Sequence, residues 1–229
     1  TLKLIGEQAF AQAGMTSLTI PANVEEIKFG AFRDMANHTT VTVEGNVAFD
    51  DYAFRSCPKL TSIYLLGDDV TFTGSQFATH SDNGDATGIT IYVKNATVAA
   101  RVYAAQNSAY GYEVKILGDA ADGSDATEAV QVKNNTQFDT AIANGASTVV
   151  LGSGNYIIPD SAQGKTLTIV GNGNTVVANQ NDGSYEGCDY SLDGSTVTFE
   201  GVTINTDGHT YAGYARCRAT YNNCTINGS

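Results

Sequence analysis

Short apolar segments recur along the first half of the chain at a nearly constant interval. The pair Ala9-Phe10 returns as Ala31-Phe32 and again as Ala53-Phe54, with a step of 22 residues each time. An apolar residue stands four positions ahead of each of these alanines: Ile5, Ile27 and Phe49. A unit of this length cannot bury its own apolar face. The interval therefore predicts that successive units stack into a solenoid.

Each Ala-Phe pair is followed by a segment in which apolar and hydroxyl-bearing residues alternate. The segments span residues 17–20, 40–43, 62–65 and 90–93. A period of two is typical of a β-strand with one buried face. The expected inward side chains are Leu18, Ile20, Val41, Val43, Ile63, Leu65, Ile91 and Val93. The expected outward side chains form one row of Thr19, Thr42, Tyr64 and Tyr92 beside a second row of Ser17, Thr40, Ser62 and Thr90, with Glu44 and Lys94 at the flank.

The string IGEQAF…SLTIPANVEEI resembles the BspA-type leucine-rich repeat of bacterial surface proteins. The resemblance covers residues 1–118. It implies a leucine-rich-repeat domain that closes with a short helix at residues 99–105 and a last strand at residues 114–117. The fourth repeat departs from the pattern, since Phe72 and Phe77 replace the expected core residues and residues 80–88 form a polar insertion.

A second kind of repeat follows an acidic, turn-rich segment at residues 119–129, which we interpret as a linker. Residues 135–144 have the spacing of a short amphipathic helix, with Phe138, Ala141 and Ile142 on one face. VVLGSGNYII, starting at Val149, aligns with TIVGNGNTVV at an offset of 19, and STVTFEGVTIN aligns with CRATYNNCTIN at an offset of 22. The expected inward positions are Val197, Phe199, Val202 and Ile204, with Ala219, Tyr221, Cys224 and Ile226 as counterparts.

These short strand-forming pieces, separated by Gly and Asn, resemble the pectin-lyase-like right-handed parallel β-helix over residues 130–229. The resemblance implies that the helix at residues 135–144 is the N-terminal cap of the first rungs. The fold class predicted for the whole chain is mainly β, with two solenoids in tandem. Residues 1 and 229 both fall inside a repeat, so we expect the chain to be a piece of a longer protein.

The charge balance excludes two classes of partner. The formal net charge is −12, with 8 basic and 12 acidic side chains in residues 1–118, and 4 and 12 in residues 119–229. No basic patch is available for nucleic acid, and anionic membranes would repel this surface. No run of 18 apolar residues occurs, so no membrane insertion is expected.

One region of the second half offers candidates for chemistry on polysaccharides. Asp182, Asp189 and Asp193 lie near Arg216 and Arg218, and lyases on this fold use carboxylates to bind Ca²⁺ and a basic residue as the base. The competing interpretation is a glycine-rich, solvated loop, because the acidic residues lack regular ligand spacing. We therefore assign no catalytic residue, no metal and no cofactor from the sequence.

The histidines and cysteines give no metal-binding pattern. His38, His80 and His209 stand in separate turns without a shared motif. Cys57, Cys188, Cys217 and Cys224 show no CxxC spacing. We expect Cys57 to pack in the core and Cys217 and Cys224 to be buried thiols, while a Cys188–Cys217 bridge stays open.

Two sets of residues are candidates for binding a partner. The outward row Thr19, Thr42, Tyr64 and Tyr92 forms an extended face of the kind solenoids use, although strand propensity alone also explains a solvated threonine-rich face. Tyrosines in two loops of the second half can stack on sugars or act as lids over the solenoid. These tyrosines are Tyr185, Tyr190, Tyr211 and Tyr214.

The resemblance to surface-protein repeats implies a location outside the cell. The function expected is a non-catalytic adhesion or interaction module that binds an extracellular protein or glycan. One alternative is a targeting module joined to part of a polysaccharide-active β-helix enzyme, and another is a structural stalk.

Overall fold

The computed structural model describes residues 2–75, 88–106, 111–119, 123–171, 175–178, 191–205 and 216–227. The chain divides into two compact units, Thr1–Thr127 and Glu128–Ser229. Every strand pair with a defined register is parallel, as stacked repeats require. The fold is mainly β, and the N-terminal unit carries repeats of the leucine-rich type.

The first sheet of the N-terminal unit consists of four very short strands, one from each repeat. They are β1 (Leu4–Ile5), β3 (Glu26–Ile27), β5 (Ala48–Phe49) and β7 (Thr71–Phe72), in that order across the sheet. Ile5, Ile27, Phe49 and Phe72 stand opposite one another in register. This row contains the apolar residues that the sequence places ahead of each Ala-Phe pair.

The second sheet of this unit carries the alternating segments. Its strands, in order, are β2 (Ser17–Ile20), β4 (Thr40–Val43), β6 (Ser62–Leu65), β8 (Ile89–Val93) and β9 (Tyr112–Ile116). Helix α1 (Ala96–Ala105) lies between β8 and β9 in the chain, and Asn95 caps it by accepting the N–H of Val98. The closing helix and strand are therefore confirmed, each slightly longer or shifted relative to the prediction.

A column of phenylalanine rings runs through the core of the N-terminal unit. Phe10, Phe32 and Phe54 stack with ring centroids 5.4 Å apart at each step. Phe32 and Phe54 are fully buried, as predicted. Phe10 is 41% exposed, so its expected burial is wrong: only Phe32 covers it, on one side, among the described residues. Leu18, on the first strand of the other sheet, is half-buried for the same reason.

The C-terminal unit also winds through two parallel sheets. The first contains β10 (Thr127–Val132), β11 (Thr148–Leu151), β13 (Thr166–Val170), β15 (Thr196–Glu200) and β17 (Arg218–Asn222). The second contains β12 (Gly154–Ile157), β14 (Thr175–Ala178), β16 (Thr203–Asn205) and β18 (Thr225–Asn227). Helix α2 (Asn135–Ala143) buries Phe138 and Ile142 against this core, as its spacing predicts.

The register between the first rungs of this unit differs from the predicted offset of 19. Val149 pairs with Ile169, an offset of 20, and Tyr156 pairs with Val177, an offset of 21. The alignment matched glycine to glycine, but the side-chain period of two ties register to the buried positions. Val149 and Ile169 both face the core, and a shift of one residue would bring an outward side chain opposite Ile169.

The offset of 22 between the last two rungs is confirmed. Val197 pairs with Ala219 and Phe199 with Tyr221, whose rings stack at 5.4 Å. Cys217 and Cys224 pack against the core but are only half-buried, so their expected full burial is wrong. The reason is position: β17 and β18 end their sheets among the described residues, so no further strand covers them.

Candidate interaction surface

The outward row of the N-terminal unit is aligned in register across its second sheet. Thr19 stands opposite Thr42, Thr42 opposite Tyr64, and Tyr64 opposite Tyr92. The row then continues to Lys115 on β9, which the sequence did not identify as a member. Thr19 is exposed, and the other members are half-buried. We call the surface formed by this row and its neighbour the hydroxyl face.

The neighbouring row is equally regular. It consists of Ser17, Thr40, Ser62, Thr90 and Glu113, each opposite the next. Glu113 accepts a hydrogen bond from the Thr90 hydroxyl at 3.0 Å and lies 2.9 Å from the Lys115 ammonium. The hydrogen bond from Lys115, with a smaller contribution from Thr90, lowers the pKa of Glu113 below its ordinary value. The two charges at this end of the face therefore compensate each other.

Tyr64 and Tyr92 form a parallel stack on the hydroxyl face. Their ring centroids are 4.5 Å apart and their planes differ by 4°. Since parallel strands lie about 4.8 Å apart, the rings stack along the direction from one strand to the next. Each tyrosine therefore turns one ring face toward the other tyrosine and the second face toward its other neighbouring strand.

A segment that the sequence assigned to a linker closes the outer side of this stack. A Cβ built on Gly123 would lie 3.0 Å from Cε1 of Tyr92 and 3.3 Å from Leu117, so the backbone of Gly123 packs against the Tyr92 ring. Gly123 has a φ of 71°, which suits glycine, and the N–H of Asp119 donates to the Asp125 carboxylate at 2.8 Å. The sequence gave a signal only through the glycine itself, because nothing in its composition indicates what it touches.

The other face of the stack has a different neighbour. Tyr64 turns its second ring face toward β4, where Thr42 stands opposite it. A threonine side chain is too short to cover a phenol ring, so the Tyr64 ring rises as a step above Thr42. Thr19 extends the low side of the step by one more strand. The hydroxyl face therefore consists of a low floor at one end and an aromatic wall beside it.

The remaining predicted site residues do not gather into a site among the described residues. Tyr185, Tyr190, Tyr211, Tyr214, Asp182 and Asp189 lie outside the described ranges. Asp193 forms an ion pair with Arg216 at 3.3 Å, in which the arginine side chain is largely exposed. Arg218 is exposed on β17. Within the described residues, no group of three His, Cys, Asp or Glu side chains could hold a metal ion.

Cys57 is a core residue, as the sequence predicts. It is fully buried, and its thiol donates to the carbonyl oxygen of Phe32 at 3.4 Å. Burial raises the pKa of this thiol to about 11. Since the thiolate is the reactive form of cysteine, this residue is not a nucleophile at neutral pH.

Two open grooves complete the described surface. One, of about 470 Å³, lies between β7 and α1 and is lined by Phe72, Thr73 and Arg101 among others. The other, of about 430 Å³, lies between β10 and α2 and includes Val130, Lys133 and Gln137. Arg101 is already engaged with Asp69 and with the carbonyl of Val70, and neither groove brings together a nucleophile and a base.

Comparison with known proteins supports the repeat assignment of the N-terminal unit. The family model described as BspA type Leucine rich repeat region (6 copies) matches residues 1–104. No curated protein and no solved structure matched the chain. Through the described ranges, no helix is both long enough and apolar enough to cross a membrane.

Proposed function

We propose that this chain is a non-catalytic interaction module of a bacterial surface protein, and that it binds an extracellular protein or glycan through the hydroxyl face. BspA-type repeats over residues 1–104 support a surface-associated, interacting protein. The observation that carries the proposal is the in-register row of hydroxyls that ends in the Tyr64–Tyr92 stack.

The chemistry of the face suits binding. From Ser17 to Tyr92 its two rows contain only serine, threonine and tyrosine, although the chain as a whole has a net charge of −12. Uncharged hydroxyls cost less to remove from water than charged groups. Tyrosine is enriched among the residues that dominate binding energies. A ligand can therefore bury this surface without leaving an unpaired charge behind.

For the C-terminal unit we propose the opening rungs of a right-handed β-helix of the pectin-lyase-like kind. Three features support this proposal: the paired parallel sheets, the strands of three to six residues, and α2 placed against the first rung. Parallel crossover connections are right-handed in about 98% of cases. Because the described part of this unit gathers no catalytic set, we assign it no activity.

The test is a binding screen followed by a paired substitution. Purified protein is screened against extracellular matrix proteins and a glycan array, and each hit is measured again with Tyr64 and Tyr92 both changed to Ser. We expect affinity for a true partner to fall at least tenfold. The matched control changes Tyr52 and Tyr103 to Ser, because both are half-buried tyrosines of the same unit away from the face.

Stability must be measured alongside affinity in this test. The sequence predicts that both tyrosines project freely into solvent, but they are half-buried and stacked on each other. Loss of an aromatic pair costs about 0.5–1.5 kcal/mol beyond the loss of buried area. The double variant should stay folded with a slightly lower melting temperature. Unchanged affinity for every partner in the folded variant would place the binding site elsewhere.

A further inference from the structure

We infer that the step between Tyr64 and Thr42 is a subsite for one neutral hexopyranose ring of a glycan. The inference rests on the proposed function, since it specifies the ligand chemistry of the hydroxyl face. It starts from the asymmetry of the tyrosine stack. Gly123 packs against the Tyr92 ring, whereas Tyr64 turns its second ring face toward the short side chain of Thr42.

The dimensions of the step suit a single six-membered ring. Tyr64 and Tyr92 stack with centroids 4.5 Å apart, close to the spacing of parallel strands. A flat ring stacked on the other face of Tyr64 at a similar separation would stand directly above Thr42. The sugar would therefore occupy the place that a third aromatic side chain would take if the column of rings continued to β4.

The polar groups around this place are hydroxyls. Thr42 lies beneath it, Thr19 lies one strand further on, and Thr40 and Ser62 lie in the adjacent row. A hydroxyl group both donates and accepts hydrogen bonds, as does each hydroxyl of a sugar. An axial C–H face of a pyranose is apolar and can pack on the Tyr64 ring, while its equatorial hydroxyls point outward to these partners.

The charge of the surface selects among glycans. The nearest ionised groups of the two rows, Glu113 and Lys115, are paired with each other on the far side of Tyr92. The net charge of −12 repels sialylated and uronic-acid glycans. Neutral hexoses, such as glucose, galactose or mannose units, fit an uncharged floor without electrostatic cost. Their binding should also change little between low and high salt.

The sharpest test fills the subsite with a side chain of the protein itself. The variant Thr42→Tyr places a third ring on the column, and tyrosine suits an outward strand position at least as well as threonine. The probes are neutral hexose oligomers of defined linkage, measured by calorimetry and by saturation-transfer NMR on the whole chain. We expect Thr42→Tyr and Tyr64→Ala each to weaken binding at least tenfold. Thr42→Val, which removes only the hydroxyl, should have a smaller effect.

The control is Thr71→Tyr, which adds the same ring at an exposed threonine of the other sheet. We expect it to leave glycan binding unchanged. If Thr42→Tyr and Tyr64→Ala bind the oligomers as the natural sequence does, the subsite assignment is wrong. If no neutral oligomer binds at 10 mM, a ceiling of about −2.7 kcal/mol on binding, the inference is equally overturned.

The proposed function has its own readout in the same experiment. A proline-rich peptide is included because a proline ring can also stack on tyrosine. If the peptide or a protein from the screen binds and Thr42→Tyr abolishes that binding, the hydroxyl face is an interaction surface but its ligand is not a sugar. If protein partners bind and neither Thr42→Tyr nor the Tyr64/Tyr92 double variant affects them, the proposed function of the face fails as well.

Discussion

The two units stack repeats by the same geometry but fill them with different chemistry. The N-terminal unit places aromatic rings in its core columns: Phe10, Phe32 and Phe54 in one, and Phe49 and Phe72 in another. The C-terminal unit is mainly aliphatic, with residues such as Leu151, Ile169 and Ile204, and stacks aromatic rings only at Phe199 and Tyr221. Register is set by inward position in both units, so widely different side chains satisfy the same constraint.

The turns differ in the same way. Each N-terminal repeat has a left-handed residue at an equivalent position, filled by Gln8, Gly30 and Tyr52. The C-terminal unit uses glycine at Gly164 and Gly194, and Arg216 takes the equivalent place in the last rung. L-residues other than glycine are strained in this conformation. The first unit thus accepts a local cost that the second avoids until its final rung.

The largest expected effect concerns the aromatic column. Phe32→Ala should lower the free energy of unfolding by about 3–5 kcal/mol, because it removes a fully buried ring stacked on both sides. Phe10→Ala is the matched control and should cost clearly less, since Phe10 is exposed and stacks on one side only. Urea denaturation followed by circular dichroism measures both. Equal costs would mean that the column does not hold the repeats together.

A close approach between repeats gives the next largest effect. A Cβ added to Gly67 would overlap the carbonyl oxygen of Gly45 in the preceding repeat. Gly67→Ala must push the two backbones apart, and overpacking of this kind costs about 1–3 kcal/mol. Gly14→Ala is the control, because no atom lies within 4 Å of its built Cβ. A melting temperature of Gly67→Ala equal to that of the natural sequence would contradict the packing of these repeats.

The left-handed residue of the last rung predicts a gain in stability. Arg216 has a φ of 55°, so Arg216→Gly should be more stable than Arg216→Ala by about 1 kcal/mol. Both variants lose the exposed ion pair with Asp193, so their difference isolates the backbone. Gly194→Ala, at the equivalent place one rung earlier, should lose a similar amount, since its built Cβ meets only ordinary contacts. If alanine and glycine are equivalent at position 216, the backbone there is not left-handed.

The sequence predicted the repeats of this chain better than its surface. Alternation and spacing identify inward residues such as Val41 and Phe199, because burial is a periodic property of neighbours in the chain. The same information failed for the offset of 19, since glycines mark turns and not register. It could not predict that Gly123 packs on Tyr92, because that contact joins residues 31 positions apart through the local path of a turn. The asymmetry of the hydroxyl face comes from this contact, so its functional detail required the structure.

The smallest expected effect separates the two units by pH. His38 is fully buried in the N-terminal unit, with Nδ1 3.4 Å from the carbonyl oxygen of Met15 and no hydrogen-bond partner at Nε2. Burial lowers the pKa of His38 below its ordinary value, and the contact with Met15 offsets only part of this. The folded protein therefore binds a proton at His38 less readily than the unfolded chain does. The stability that His38 contributes is present above the ordinary histidine pKa of about 6.5 and is lost as the pH falls from there toward the lowered folded value.

The unfolding free energy should therefore decrease between pH 7.5 and pH 5.5, and His38→Phe should reduce that decrease. Phenylalanine keeps an aromatic ring at the site and removes the proton, whereas the carboxylates and the other two histidines titrate alike in both proteins. The described part of the C-terminal unit contains no histidine. Hydrogen exchange followed by mass spectrometry should accordingly show the acid effect in peptides around residues 15–40 and not in peptides around residues 148–170. An identical pH dependence in the natural sequence and in His38→Phe would show that the acid effect arises from other groups, and a stronger loss in the C-terminal peptides would reverse the predicted difference between the units.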